Sequence, residues 1–334
     1  MNLDFSIIVP VYNRPNEVDE LLDSLTKQDY ADTFEIVLVE DGSTNKCDTI
    51  VAKYKDELDI SYYYKANSGP GASRNYGMKR AKGNYFLIFD SDCVIPKQYL
   101  SEVAKGLSAN YTACFGGSDA AMDSFSNLQK AINYSMTSFF TTGGIRGKSE
   151  KLQKFQPRSF NMGLAKEAFE ATGGFAQIHP GEDPDLVLRL WVLGYKTQLI
   201  NKAFVYHKRR ISWSKFYTQV NKFGQVRPIL DKWHPSSKKL TFWFPTFFIF
   251  GFLLSVFMAF GSFYIGLYLY LCYYLVILID ASMQNKSIII GFMAVIATSL
   301  QFIGYGFGYI SSKLKLAFTK AEAAIIFPHL FFKK

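Results

Sequence analysis

Asp90 and Asp92 stand at the end of an unbroken apolar run, Phe86-Leu-Ile-Phe89, with Ser91 between them. Carboxylates two apart in an extended turn can share a hard divalent cation such as Mg or Mn, which keeps waters and takes its other ligands from substrate phosphates. Asp favours turns, so the pair by itself would also suit a simple Asx turn. Two more acidic pairs repeat the pattern. Glu40-Asp41 closes the mostly apolar run Phe34–Val39. Glu182-Asp183, followed by Pro184 and Asp185, opens a segment in which Leu186, Leu190 and Leu193 share one face. The helix macrodipole favours carboxylates at such a start, which explains one or two of these acids but not readily three. His207 ends a further apolar stretch beside Lys208-Arg-Arg210. A lone histidine is more often structural than a ligand, unless a metal site is already suspected nearby.

These groups need a scaffold that brings strand ends together. Short apolar runs without period suit strands covered on both faces, and parallel strands of this kind deliver binding groups at their carboxyl ends. Ser6–Tyr12, Phe34–Glu40, Ile60–Tyr64 and Tyr85–Phe89 read as strands. Val18, Leu21, Leu22 and Leu25 recur at helical spacing after Asn13-Arg-Pro15, and Pro70–Ala81 reads as a helix. The alternation predicts an α/β, Rossmann-type, mostly parallel sheet with its site along the carboxyl edge. Beyond Asp92 it loosens. A strand is expected at Tyr111–Phe115, a helix near Leu128–Phe140, a Gly-rich basic loop over Thr141–Pro157 suited to closing over a ligand, and a strand over Lys196–Tyr206. An amphipathic segment near 211–235 mixes Trp213, Phe216, Tyr217 and Phe223 with Lys215, Lys222 and Arg227, a composition that fits a membrane interface.

Composition divides the chain of 334 residues in two. Residues 1–235 mix charged and apolar types as soluble α/β proteins do, whereas 240–312 is nearly all aliphatic, aromatic and Gly, followed by a basic tail over 313–334. Thr241–Phe260, Phe263–Ile279 and Ile288–Ile310 are each long enough to span, giving two or three crossings. No basic region with an apolar core precedes the first strand, so no cleaved signal peptide is expected. The formal charge of +9 sits largely in Lys and Arg flanking apolar segments, which argues for anionic lipid head groups and against nucleic acid. Cys47, Cys93, Cys114 and Cys272 fall singly, without the spacing of a zinc site or a disulfide framework.

In their order, five of these motifs resemble the family 2 nucleotide-sugar glycosyltransferases of GT-A fold, over Leu3 to Leu230. Ile8-Val-Pro-Val-Tyr-Asn13 is similar to the family's opening signature and Glu40-Asp-Gly-Ser43 to its base-binding acid. Asn67-Ser-Gly-Pro-Gly-Ala-Ser-Arg-Asn75 is similar to its Gly-rich donor segment, Asp90-Ser-Asp92 to its D-x-D, and Gly181-Glu-Asp183 to its catalytic pair. The resemblance implies an inverting, metal-dependent hexosyltransferase on a GT-A domain followed by transmembrane helices. Asp183 would be the general base, supported by Glu182, with Asp92 and His207 holding Mg or Mn. Pro10, Tyr12, Asn13, Glu40, Asp41, Gly71, Arg74, Asn75, Asp90, Ser91 and Arg227 would bind the donor, Arg74 offering a second cation to the leaving diphosphate. Asn161 and Gly163 would bind the acceptor.

A UDP-sugar is the preferred donor and a lipid-linked glycan for cell-surface polysaccharide the preferred acceptor. The head would then face the cytosol at the inner membrane. The Q-x-x-R-W of processive synthases is missing, since only Gln219-Val-Asn-Lys-Phe223 and Gln225-Val-Arg227 occur. That favours addition of one sugar over synthesis of a long polymer. Lys313, Lys315, Lys320, Lys333 and Lys334 favour a cytosolic tail, which leaves one apolar stretch re-entrant or interfacial. Two other readings are a polyprenyl-phosphate sugar synthase and a membrane scaffold or transporter without catalysis. The converging Asp41, Asp90, Asp92 and Asp183 argue against the scaffold, which has no use for them.

Overall fold

A computed structural model describes residues 3–120, 125–143, 154–207 and 212–332. The expected loop over Thr141–Pro157 therefore lies largely outside the described residues, as do Lys208-Arg-Arg210 and the last two lysines. The chain divides into two compact units. The first comprises Met1–Ala120, Ser149–Lys208 and Phe331–Lys334, the second Ala121–Lys148 and Arg209–Leu330. The segment expected at the end of the head, near 211–235, thus falls with the apolar helices.

The first unit is built on strands β1 (Phe5–Val11), β2 (Phe34–Asp41), β3 (Asp59–Lys65), β4 (Tyr85–Phe89), β5 (Cys93–Val94), β6 (Cys114–Gly116), β7 (Asp119–Ala120), β8 (Asn161–Ala165), β9 (Thr197–Leu199) and β10 (Val205–His207). Seven of them form one sheet in the order β3-β2-β1-β4-β8-β6-β9, and the other three form a small sheet β5-β10-β7. Strands β3, β2, β1 and β4 run parallel, and β6 with β9 as well, while β8 is antiparallel to both its neighbours. β1, β2 and β4 are buried almost throughout, which is why they read as apolar runs without period. The strand order turns back between β1 and β4, so their carboxyl ends flank the crevice where such sheets bind ligands. The reversed β8 starts at that same edge, with Asn161 opposite Phe89.

Two expected elements differ. The helix after Gly69 runs from Pro70 only to Met78. The expected strand over Lys196–Tyr206 is two strands in different sheets, β9 and β10, separated by a turn at Asn201–Ala203. Pattern alone joined them because Ile200, Ala203 and Val205 are all buried.

Among the described residues of the second unit three helices are long and apolar enough to cross a membrane: Leu240–Ala259, Ile265–Asn285 and Ile288–Phe318. The first two turn Phe250, Leu253, Leu254, Phe257, Leu269 and Leu275 outward, a surface suited to lipid. The third is the most buried of the three. Its Gly304 and Gly308 meet Tyr217, Val220 and Asn221 of the helix Trp213–Trp233, and Gly306 meets Pro245 and Ile249 of the helix Phe244–Ala259. Small residues four apart let helix backbones approach closely. Phe216 and Val220 of the amphipathic helix are buried with Ile132, Met136 and Ala297.

Candidate active site

The carboxyl ends of β1 and β2 are tied together by side-chain bonds. Asn13, in the left-handed region at φ 54°, accepts from the Thr44 and Asn45 amides at 2.9 Å each. Its own amide donates to Ser43 Oγ at 2.8 Å. Tyr12 is exposed beside it, and Pro10 is half-buried within β1. Glu40 is fully buried and accepts from Tyr62 Oη at 2.7 Å and the Cys47 amide at 3.0 Å, so it acts as an internal brace. Asp41 is different. Its carboxylate accepts from the Ser68 and Gly69 amides at 2.9 Å each and from Lys65. A carboxylate offers about four acceptor positions, so roughly one is left to a ligand.

The helix Pro70–Met78 carries the residues that join this edge to the second acidic pair. Arg74, 2% exposed, donates to Asp90 Oδ1 at 2.6 Å and to Glu182 Oε1 at 3.1 Å. Its buried guanidinium bridges the two acids, a geometry that holds both in place. Asn75 exchanges bonds of 2.8 Å with both the amide and the carbonyl of Phe175. Gly71 lets the two segments meet: a Cβ there would lie 2.9 Å from the Ala176 carbonyl and 3.7 Å from Glu182 Cβ.

Glu182 and Asp183 open the helix Glu182–Val192, and their surroundings push them in opposite directions. Burial by itself would raise the Glu182 carboxyl, but His179, whose Nδ1 is 2.9 Å away, and Arg74 outweigh it and bring it down to about 2. Burial raises Asp183, and Arg158, 3.6 Å away, opposes this while the charge on Glu182 adds to it. One acid is thus fixed as an anion while its neighbour is tuned toward accepting a proton. Adjacent titratable groups driven apart in this way mark acid and base assignments. Asp185 is accounted for structurally, by Arg189 at 2.8 Å.

β10 pairs antiparallel with β5 and sets His207 opposite Cys93. His207 Nε2 lies 3.2 Å from Asp92 Oδ1, and ligand atoms of Asp92, Cys93 and His207 all fall within 4.8 Å of one another. The Phe160 ring stacks on the imidazole at 4.8 Å. Carboxylate with imidazole suits Mg or Mn sharing diphosphate oxygens. The Cys93 thiol donates to the Phe160 carbonyl at 3.5 Å, which leaves the oxygen and nitrogen groups as the fitting donors. Asp90, engaged by Arg74, is outside this group, and Ser91 lies between, mostly buried.

The two residues expected at the acceptor are occupied by packing. The Asn161 amide group donates to the Ala203 carbonyl at 2.8 Å and accepts from Tyr99 Oη at 2.6 Å, and a Cβ on Gly163 would lie 1.9 Å from the Phe115 ring. Arg227 belongs to the second unit, where it pairs with Asp231 at 2.7 Å and stacks on Phe242. Sequence reasoning missed His179, Arg158 and Lys65. His179 stands three residues before Glu182, a spacing that was a usable signal, whereas Arg158 and Lys65 carry none.

The family model for glycosyl transferase family 2 matches residues 6–173, half of the chain, which includes Asp41, Arg74, Asp90 and Asp92 and ends before Glu182, Asp183 and His207. The chain belongs to glycosyl transferase family 2. It is 40% identical over 113 residues to the poly(ribitol-phosphate) beta-N-acetylglucosaminyltransferase TarS of Staphylococcus aureus, covering 33% of this chain and 20% of TarS. It is 28% identical over 238 residues to the glycosyltransferase GlyA of Streptococcus pneumoniae, covering 64% of this chain and 32% of that one. The chain thus spans a fifth to a third of the length of these relatives. Among solved structures, S. aureus TarS in complex with UDP aligns at a TM-score of 0.49 and 24% identity over 67% of this chain and 66% of that one. The mannosyltransferase PcManGT of Pyrobaculum calidifontis, in complex with GDP-Man and Mn2+, aligns at 0.55 and 18% identity over 69% of this chain and 65% of that one. The latter likeness shows the GT-A fold. The chain is therefore a GT-A-like α/β domain with three long apolar helices following it.

Proposed function

We propose that the protein transfers one hexosyl unit from a nucleoside-diphosphate sugar to an acceptor hydroxyl with inversion, on a lipid-linked glycan at the cytosolic face of a membrane. The observation that carries this reading is the opposed environment of Glu182 and Asp183 next to an acid edge that also holds Asp92 and His207. Asp183 takes the proton from the attacking hydroxyl, and Glu182, kept ionised by His179 and Arg74, favours the protonated product state of its neighbour. No enzyme nucleophile is needed, and a single displacement inverts the anomeric carbon by the geometry that separates inverting from retaining glycosidases.

Asp92 and His207 would hold Mg or Mn, which when bound neutralises charge developing on the departing diphosphate. Asp41, gripped by Ser68 and Gly69, presents its remaining acceptor position to an N–H of the nucleobase. TarS having been solved with UDP supports a UDP-sugar, and uracil does offer an N–H to such an acid. The outward apolar faces of Leu240–Ala259 and Ile265–Asn285 support a membrane setting for the acceptor.

A screen of nucleotide sugars against the full chain with Mn2+, read by thermal stabilisation and by hydrolysis, tests this directly. A donor present at a hundred times its Kd stabilises by about 2.7 kcal/mol. A UDP-sugar that both stabilises and turns over is the expected result. Failure of every nucleotide sugar to do either would sink the proposal.

A further inference from the structure

Phe331 and Phe332 follow the apolar helices in the chain, yet they belong to the first unit. Phe331 forms an antiparallel bridge with Ile178, and the Phe332 amide donates to the Gln177 carbonyl at 3.2 Å. The Phe332 ring then lies against Gly69, whose φ is +90°; a Cβ there would come within 2.2 Å of ring atom Cδ2. The ring centroid is also 6.1 Å from that of His179. Phe332 therefore touches the two segments that shape the site. One is the glycine whose amide grips Asp41 and whose carbonyl accepts from the Ser73 amide at 3.1 Å at the start of the Arg74 helix. The other is the histidine that holds Glu182.

We propose that Phe332 is a positioning residue for the nucleotide end of the donor site. Its ring covers the backbone of Gly69, so the Ser68 and Gly69 amides stay aimed at Asp41 and the carboxylate keeps one fixed direction toward the base. The other ties of this segment are polar: Asn67 Nδ2 donates to the Asp41 carbonyl at 2.8 Å, the Ser68 and Gly69 amides donate to the Asp41 carboxylate, and Lys65 donates to Ser68 Oγ at 2.6 Å. Gly69 has no side chain to pack, so the Phe332 ring supplies the apolar contact at that position. Removing the ring lets the segment sample other conformations, and apparent donor affinity falls in proportion to the fraction that remains competent. This rests on the reading of Asp41 as the base-binding acid, while the positioning itself does not.

The test uses the full chain in detergent and compares Phe332→Ala and Phe332→Leu with the unmodified protein. Hydrogen exchange at the Ser68 and Gly69 amides reports the segment without any ligand, exchange in β1 and β4 reports that the fold is intact, and calorimetry with UDP and Mn2+ reports the site. We expect Phe332→Ala to lose roughly tenfold in protection at both amides and roughly tenfold in UDP affinity, with β1 and β4 unchanged and Phe332→Leu restoring most of both. Unchanged protection in Phe332→Ala overturns the proposal, because a ring that only anchors the Phe331-Phe332 stretch against Gln177 and Ile178 would leave the Gly69 segment as it was. Lost protection with unchanged UDP affinity overturns it too. Lost protection where UDP fails to bind even the unmodified protein upholds the positioning and overturns the nucleotide reading instead.

Discussion

Arg74 and Glu182, 108 residues apart, meet at 3.1 Å with both side chains almost fully buried, and the same guanidinium reaches Asp90 at 2.6 Å. A single cation thus holds the Asp90-Ser-Asp92 turn and the Glu182-Asp183 pair in one frame. Removing one partner of a buried ion pair leaves an uncompensated charge and costs about 3–5 kcal/mol. Arg74→Met is expected to destabilise the first unit by about that amount, read as a drop in denaturant midpoint. Arg74→Lys should recover only part of it, because an ammonium cannot fork between two carboxylates. A neutral Arg74→Met would show the network to be incidental.

Asp183→Asn is expected to lower turnover by about 10²–10⁴-fold, the usual contribution of general-base catalysis, with donor affinity little changed. Asp183 is the second residue of its helix, behind Gly181 at the N-cap, so a role confined to the helix dipole, typically about 0.3–1 kcal/mol, predicts a nearly unchanged turnover. Retained transfer by Asp183→Asn removes the base assignment, and lost donor binding moves the residue to the donor pocket.

The pH dependence follows from the same pair. A base works only when deprotonated, so activity falls as pH drops through the Asp183 value, which burial raises. Arg158 opposes that rise. Arg158→Gln should therefore shift the acid limb of the kcat/KM profile to higher pH. An acid limb that stays in place in Arg158→Gln would show that another group governs it.

Chelation should abolish transfer, and added Mn2+ should restore it. Asp92→Asn and His207→Ala should each weaken metal-dependent UDP binding while leaving the melting temperature of the metal-free protein near its starting value, because both side chains sit at the partly exposed end of the small sheet. Full activity in excess chelator would rule the assignment out.

Phe331 pairs with Ile178, so the chain leaves the head after Lys208 and rejoins it at Phe331. If the helices between them cross a bilayer, the number of crossings is even. Ile288–Phe318, the most buried of the three and packed along the helix Trp213–Trp233, is the one expected to stay at the interface. A reporter fused after Lys334 should be active on the same side as the head. Activity on the opposite side would contradict this count.

Much of the head was legible in the order of residues because its strands are covered on both faces and its acids follow them directly. Phe86–Phe89 could only be an inner strand, and Asp90-Ser-Asp92 had to emerge at its carboxyl end. The apolar stretch from 240 was equally plain, since lipid selects for length and hydropathy that a short window already records. What the order of residues left open were the partners. Asp183 and Glu182 are adjacent acids at one helix start, yet burial raises one while His179 and Arg74 lower the other. Asn161 and Gly163 read as acceptor residues until β8 turned the amide into backbone bonds and set the glycine against Phe115. His207, a ligand by resemblance alone, is brought within 3.2 Å of Asp92 by the pairing of β10 with β5, and Phe332 comes to lie on Gly69 across most of the chain. Charge coupling and packing act through space over a few ångströms, whereas sequence pattern reports only neighbours along the chain; that is why the groups could be read from the sequence and their contacts only from the fold.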